Sequence, residues 1–149
     1  MMKEGEPSAH ILLVEDNPGD VRLVTEAFAT GDSESTLHVT KDGIEALEFC
    51  HRRGAYEDAP HPDLVVLDLN LPRKHGVEVL EELKSDPDLM TIPVIVLTSS
   101  ESREDMRKSY ERHANAYVTK PVDPTEFIET IQSLETFWLS VVRLPTWER

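Results

Sequence analysis

Apolar residues along the chain follow two rhythms. Three short runs, at 11–14, 64–67 and 94–97, are unbroken Val, Ile and Leu. They are too short for typical helices. Their lack of alternation suits central strands of a parallel sheet, buried on both faces. The segment 37–40 alternates apolar and polar, and 116–119 is short and mixed, so both suit edge strands. Helical spacing fills the gaps. Asn17 followed by Pro18 reads as an N-cap with proline at the first helical position, ahead of Val21, Val24 and Phe28. Ile44, Leu47 and Cys50 predict a second helix after the turn at Asp42 and Gly43. Val79, Leu80 and Leu83 predict a third, ending before Pro87. Ser102 and Asp105 read as a capping box ahead of Met106, Tyr110 and His113. Asp123 and Pro124 open a fifth helix with Phe127, Ile131, Leu134 and Trp138 on one face.

Strands alternating with helices imply an α/β fold, a doubly wound five-stranded parallel sheet with five helices. Right-handed crossovers leave few topologies. The order 2-1-3-4-5 places the alternating segments at the edges and the apolar runs inside. The division expected is an N-terminal tail at 1–9, one domain at 10–139 and an apolar C-terminal extension at 140–149. The chain has 149 residues, enough for one core without disulfides. It leaves no room for a second folded module.

Charge narrows the function classes. The net charge is −14, from 29 acidic and 15 basic residues. Phosphate backbones are gripped by basic clusters, so DNA binding is not expected. A solvated acidic surface is the simplest reading, and adaptation to high salt the sharper one. Cys50 is the one cysteine and has no disulfide partner, which points to a reducing compartment. No apolar run approaches the ~20 residues of a membrane span, and no signal peptide is legible. A cytoplasmic location without membrane attachment is expected.

Ligands of open α/β sheets bind beyond the carboxyl ends of the strands, where strand order reverses. Strand one runs into Glu15 and Asp16, strand three into Asp68, strand four into Thr98, and strand five into Lys120 and Pro121. Three carboxylates, a hydroxyl and an ammonium should therefore meet on one rim. Clustered carboxylates repel, and a hard cation such as Mg2+ relieves that repulsion. Phosphoryl transfer needs chiefly positioning and charge neutralisation. Asp68 would be the nucleophile, while Lys120 and Thr98 would hold phosphoryl oxygens.

Four motifs carry a family resemblance. They are Ile-Leu-Leu-Val-Glu-Asp-Asn-Pro at 11–18, Val-Leu-Asp-Leu-Asn-Leu-Pro at 66–72 with Gly76 after it, Leu-Thr-Ser-Ser at 97–100, and Tyr-Val-Thr-Lys-Pro at 117–121. In this order and spacing the chain resembles the receiver domains of two-component response regulators, over about 10–138. The resemblance implies a flavodoxin-like fold, with Asp68 as phosphoacceptor and Asp16 as a metal ligand. Glu15 would act on the metal through water, and Asn70 would lend it a backbone carbonyl. Thr98 and Lys120 would sense the phosphoryl group, and Tyr117 would be the switch aromatic, rearranging with Thr98 to remodel the face of helix four, strand five and helix five. It also implies a cis bond between Lys120 and Pro121. Glu15 stands where an aspartate is often found. The loop at 52–62, the 71–74 segment and the ending at 137–145 resemble single-domain receivers partnered with phytochrome-like histidine kinases. A sensor histidine kinase would be the donor, and the downstream protein partner is left open. The protein would catalyse its own phosphorylation and hydrolysis without being an enzyme on other substrates.

Two other classes compete. A constitutive interaction module would have kept the fold and lost the chemistry, but the acidic pair, the aspartate and the lysine all stand here. A Mg2+-dependent phosphatase of similar fold type often carries Asp-x-Asp, and position 70 is Asn. The six histidines show no metal-ligand spacing and read as scattered. Cys50 reads as core. Arg73 and Lys74 form a small basic spot that is solvated or attracts a phosphodonor. Phe137, Trp138, Leu139, Val141, Val142, Leu144 and Trp147 make an apolar ending that either packs back on the domain or forms a homodimer interface, the latter slightly preferred.

Overall fold

The computed structural model describes residues 8–31 and 34–145. Its strands are β1 (Ala9–Val14), β2 (Ser35–Thr40), β3 (Leu64–Leu67), β4 (Val94–Thr98) and β5 (Ala116–Thr119). Its helices are α1 (Pro18–Thr30), α2 (Gly43–His51), α3 (Gly76–Ser85), α4 (Arg103–Glu111) and α5 (Pro124–Thr136). All strand pairs are parallel, in the order β2-β1-β3-β4-β5. The doubly wound sheet, its strand order and its five helices are as expected.

The unbroken apolar runs work as two-sided core. Along β1, Ile11 and Leu13 face one layer with Val24, Ala27, Phe127 and Ile131 of α1 and α5. Leu12 and Val14 face the opposite layer with Leu47, Phe49, Val79, Leu80 and Leu83 of α2 and α3. Period-two side-chain alternation requires this split. Capping fixes the helix starts. The Asn17 side chain accepts from the Asp20 N–H at 3.0 Å, and Asp123 accepts from Thr125 and Glu126.

Helix α4 departs from its expected apolar face. Met106 and Tyr110 are exposed, His113 lies beyond the helix end with φ 70°, and Ser109 is the residue buried. Edge chemistry explains the arrangement. The Tyr110 hydroxyl accepts from the Tyr117 N–H at 3.2 Å, satisfying a donor of the edge strand β5. The capping box is also half-made. Ser102 accepts from the Asp105 N–H, while the Asp105 carboxylate takes the Ser100 hydroxyl at 2.6 Å.

After α5 the chain widens into a π-helical turn, Phe137–Val141. Trp138 and Leu139 pack back on the α1/α5 layer, whereas Phe137 and Val141 remain 51% and 65% exposed. Trp147 lies outside the described residues. No described helix is long and apolar enough to cross a membrane.

The β3–α3 connection is held by backbone contact. The Gly76 N–H donates to the Leu69 carbonyl at 2.8 Å, and a Cβ on Gly76 would collide with the Asp68 carbonyl oxygen and Leu69 Cα. Backbone cannot move aside as a side-chain tip can. We expect Gly76→Ala to destabilise the fold by about 1–3 kcal/mol, as overpacking does. Urea unfolding should show a lower midpoint with an unchanged slope. An unchanged midpoint would show that the loop relaxes freely.

Candidate functional site

Strand register assembles the site. Val14 is aligned with Leu67, so the next residues, Glu15 and Asp68, leave the sheet side by side. Their N–H groups extend the ladder to Thr40 and Val14 carbonyls, at 3.0 and 3.1 Å. Thr98 ends β4 opposite Thr119, and the Lys120 N–H donates to the Thr98 carbonyl at 2.8 Å. Glu15, Asp68, Thr98 and Lys120 therefore share the carboxyl edge of the sheet, as predicted.

The Lys120 ammonium is the hub. It donates to Asp20 Oδ2 at 2.8 Å and Asp68 Oδ2 at 3.0 Å, and forms an ion pair with Glu15 Oε1 at 2.6 Å. Three carboxylates thus surround one ammonium, two of them as hydrogen-bond acceptors. Asp20 was not predicted. It occupies the third residue of α1, a position that reads locally as helix capping. The one signal for it is that the first turn of α1 begins at the rim where β1 ends.

Glu15, Asp16 and Asp68 offer oxygens within 4.8 Å of one another. Asp16 is exposed and reaches solvent, while Glu15 and Asp68 are buried. One ammonium does not neutralise these carboxylates. An all-oxygen, net-negative cluster fits a hard divalent cation. The Asn70 N–H donates to Asp68 Oδ1 at 3.3 Å, so this residue does border the cluster.

Burial and charge set the protonation states. Desolvation, aided by the charge of Asp68, pushes Glu15 up to about 7 despite its bond to Lys120. Desolvation also pushes Asp68 up, but the Lys120 charge and the hydrogen bonds from Lys120, Thr98 and Asn70 outweigh it. The Asp68 carboxyl is held below its usual value. Lys120 is lowered by desolvation and raised more by Asp20, Glu15 and Asp68, so it stays firmly protonated.

Tyr117 is half-buried, and its hydroxyl donates to the Ser100 carbonyl at 2.9 Å, linking β5 to the loop that follows Thr98. The Lys120–Pro121 bond is trans, against the expectation of cis. For a bond to proline the two forms lie within about 1 kcal/mol, so local packing decides, and the trans form already brings Lys120 to its carboxylates. Arg73 and Lys74 are not a bare basic spot: Arg73 pairs with Asp42 at 3.3 Å and Lys74 with Glu82 at 2.5 Å. His10 and His38 are not scattered either. Their ring nitrogens lie 3.1 Å apart, at the opposite end of the sheet. Cys50 is buried, and burial pushes its thiol up to about 12, so it is inert.

Comparison with known proteins gives matches over nearly the whole chain. The response regulator receiver domain family matches residues 11–132. Response regulator Rcp1 of Synechocystis is 46% identical over 145 residues, covering 97% of this chain and 99% of Rcp1. The crystal structure of the Mn(2+)-bound form of Rcp1 superposes with a TM-score of 0.90, covering 93% of this chain and 99% of that one. The phosphorylated cyanobacterial phytochrome response regulator RcpA gives 0.91 at 43% identity, covering 94% and 100%. The bacteriophytochrome response regulator AtBRR gives 0.73 at 41% identity, covering 89% and 96%.

The raised Glu15 sets a pH dependence. Between its ordinary value of 4.5 and about 7, the folded chain keeps a proton that the unfolded chain has released. The metal-free protein should lose stability as pH rises through that window, and Glu15→Gln should flatten the loss. A divalent cation competes with the same proton. Mg2+ should therefore raise the unfolding temperature more at about pH 8 than at about pH 6. Equal Mg2+ stabilisation at both would count against the assignment.

Proposed function

The chain belongs to the response regulator receiver family, and on that premise we propose that it is a phosphorylation-dependent signalling switch with Asp68 as phosphoacceptor. The observation that carries the reading is Asp68 itself: a buried carboxylate held ionised, within 3.0 Å of a lysine and beside two further acids. A sensor histidine kinase is the donor. One oxygen of Asp68 bonds to phosphorus as the P–N bond of the donor's phosphohistidine breaks. The electron pair goes to the imidazole nitrogen, and the ring, protonated on its other nitrogen, leaves neutral. Lys120 meets charge on the transferred phosphoryl group, and the Thr98 hydroxyl turns to another of its oxygens.

Glu15, Asp16 and Asp68, with the Asn70 carbonyl, would hold Mg2+. When bound, it neutralises charge between the carboxylates and the phosphoryl oxygens. The Mn(2+)-bound form of the relative Rcp1 supports a divalent ion, and the oxygen donor set supports Mg2+. The phosphorylated relative RcpA supports the acceptor chemistry. Relatives named for phytochromes and bacteriophytochromes support a phytochrome-like kinase as the donor.

The switch runs through Thr98, Ser100 and Tyr117. Drawing the Thr98 hydroxyl to a phosphoryl group tightens the start of the β4–α4 loop. That loop is where the Tyr117 hydroxyl is anchored, so its hold changes and with it the face of α4, β5 and α5. A cytoplasmic protein partner reads that face. The protein catalyses its own phosphorylation and hydrolysis and acts on no other substrate.

With Mg2+ and a small phosphodonor, wild type should incorporate one phosphoryl group that is stable to acid and labile to base, and Asp68→Asn should incorporate none. Equal labelling of the variant would overturn the assignment. Exposed Phe137 and Val141 support a homodimer built on the end of α5. Light scattering should give a mass near two chains for the full protein and near one for a version ending at Phe137. A monomeric mass for both would end that reading.

A further inference from the structure

We propose that Asp20 is a positioning residue that occupies Lys120 in the resting protein and is displaced when a phosphoryl group arrives. The inference rests on Asp68 being the phosphoacceptor. Three carboxylates crowd the Lys120 ammonium: Asp20 and Asp68 accept hydrogen bonds from it and Glu15 pairs with it at 2.6 Å. To meet a phosphoryl oxygen the ammonium must give up one bond, and the three are not equal. The Glu15 side chain is 2% exposed, and releasing it would strand a buried polar group. Asp68, once phosphorylated, presents its remaining acyl oxygen and the phosphoryl oxygens together, so it stays a partner of Lys120. The Asp20 side chain is 23% exposed and sits on the first turn of α1, where water and the helix N-terminus receive its charge. Asp20 is thus the exchangeable acceptor and Glu15 the fixed one.

Asp20 also adds a negative charge beside the position that an anionic donor must approach. Both effects restrain phosphoryl uptake in the resting protein. Removing the Asp20 charge should free one Lys120 proton and lower the repulsion, so uptake should rise. The same removal takes negative charge from the neighbourhood of the metal cluster, so Mg2+ affinity should stay level or fall. These opposite directions distinguish positioning from a structural role, because a loosened site would lose both.

The test uses the full chain, as wild type, Asp20→Asn and Asp20→Ala, with thermal unfolding to verify folding. Beryllofluoride, a tetrahedral phosphoryl mimic, is titrated in saturating Mg2+, and Mg2+ alone is titrated separately. Initial labelling by acetyl phosphate is followed at low and high salt; there Asp68 bonds to phosphorus as the bond to acetate breaks and acetate leaves with the electron pair. Both variants should bind beryllofluoride about 3- to 10-fold more tightly and label about 3- to 10-fold faster, corresponding to one lost unit charge at partly exposed range. Their Mg2+ affinity should be unchanged or lower, and their labelling advantage should shrink in high salt. If wild type binds and labels but neither variant exceeds it, the role of Asp20 is overturned. If wild type itself takes up neither probe, the phosphoacceptor reading fails instead.

Discussion

The site is organised by one ammonium shared among carboxylates from three places in the chain. Lys120 follows β5, Glu15 follows β1, Asp20 lies in the first turn of α1 and Asp68 follows β3. Without that cation, buried Glu15 and Asp68 would face one another uncompensated. Burial already drives Glu15 towards its neutral form, and Lys120, with hydrogen bonds from Thr98 and Asn70, keeps Asp68 ionised. The sheet pays this electrostatic cost where it can: at its edge, beside solvent, with the fully apolar layers beneath it.

The same edge supplies the geometry. Parallel pairing aligns Val14 with Leu67 and Thr98 with Thr119, so the residue after each strand lands on the shared rim. Gly76 lets α3 begin against the backbone of Asp68 and Leu69. Tyr117 connects that rim to the outer strand through Ser100. Site, strand ends and candidate switch are thus linked by hydrogen bonds, which gives the proposed switch a physical route.

Much of this was legible from residue pattern. Unbroken runs of Val, Ile and Leu are hard to accommodate except as central strands, and polar residues directly after them fall on the carboxyl edge by topology alone. Contacts made by side-chain direction were not legible. Asp20 looks like an ordinary helix-start acid, because nothing local reveals a lysine 100 residues later. Met106 and Tyr110 have helical spacing, yet α4 turns them outward, since Tyr110 serves the edge of β5 and Ser109 is small enough to face inward. Arg73 and Lys74 look free until Asp42 and Glu82 come alongside. The peptide before Pro121 was expected cis from resemblance alone, and this chain holds it trans.

The central claim is that one lysine exchanges acceptors when Asp68 is modified. A crystal structure of the protein with Mg2+ and beryllofluoride tests it most directly. The account predicts beryllium bonded to an Asp68 oxygen, with Lys120 Nζ within hydrogen-bond distance of a fluoride, still bonded to Glu15 and parted from Asp20. Lys120 remaining on all three carboxylates, with the fluorides contacted by other groups, would contradict it.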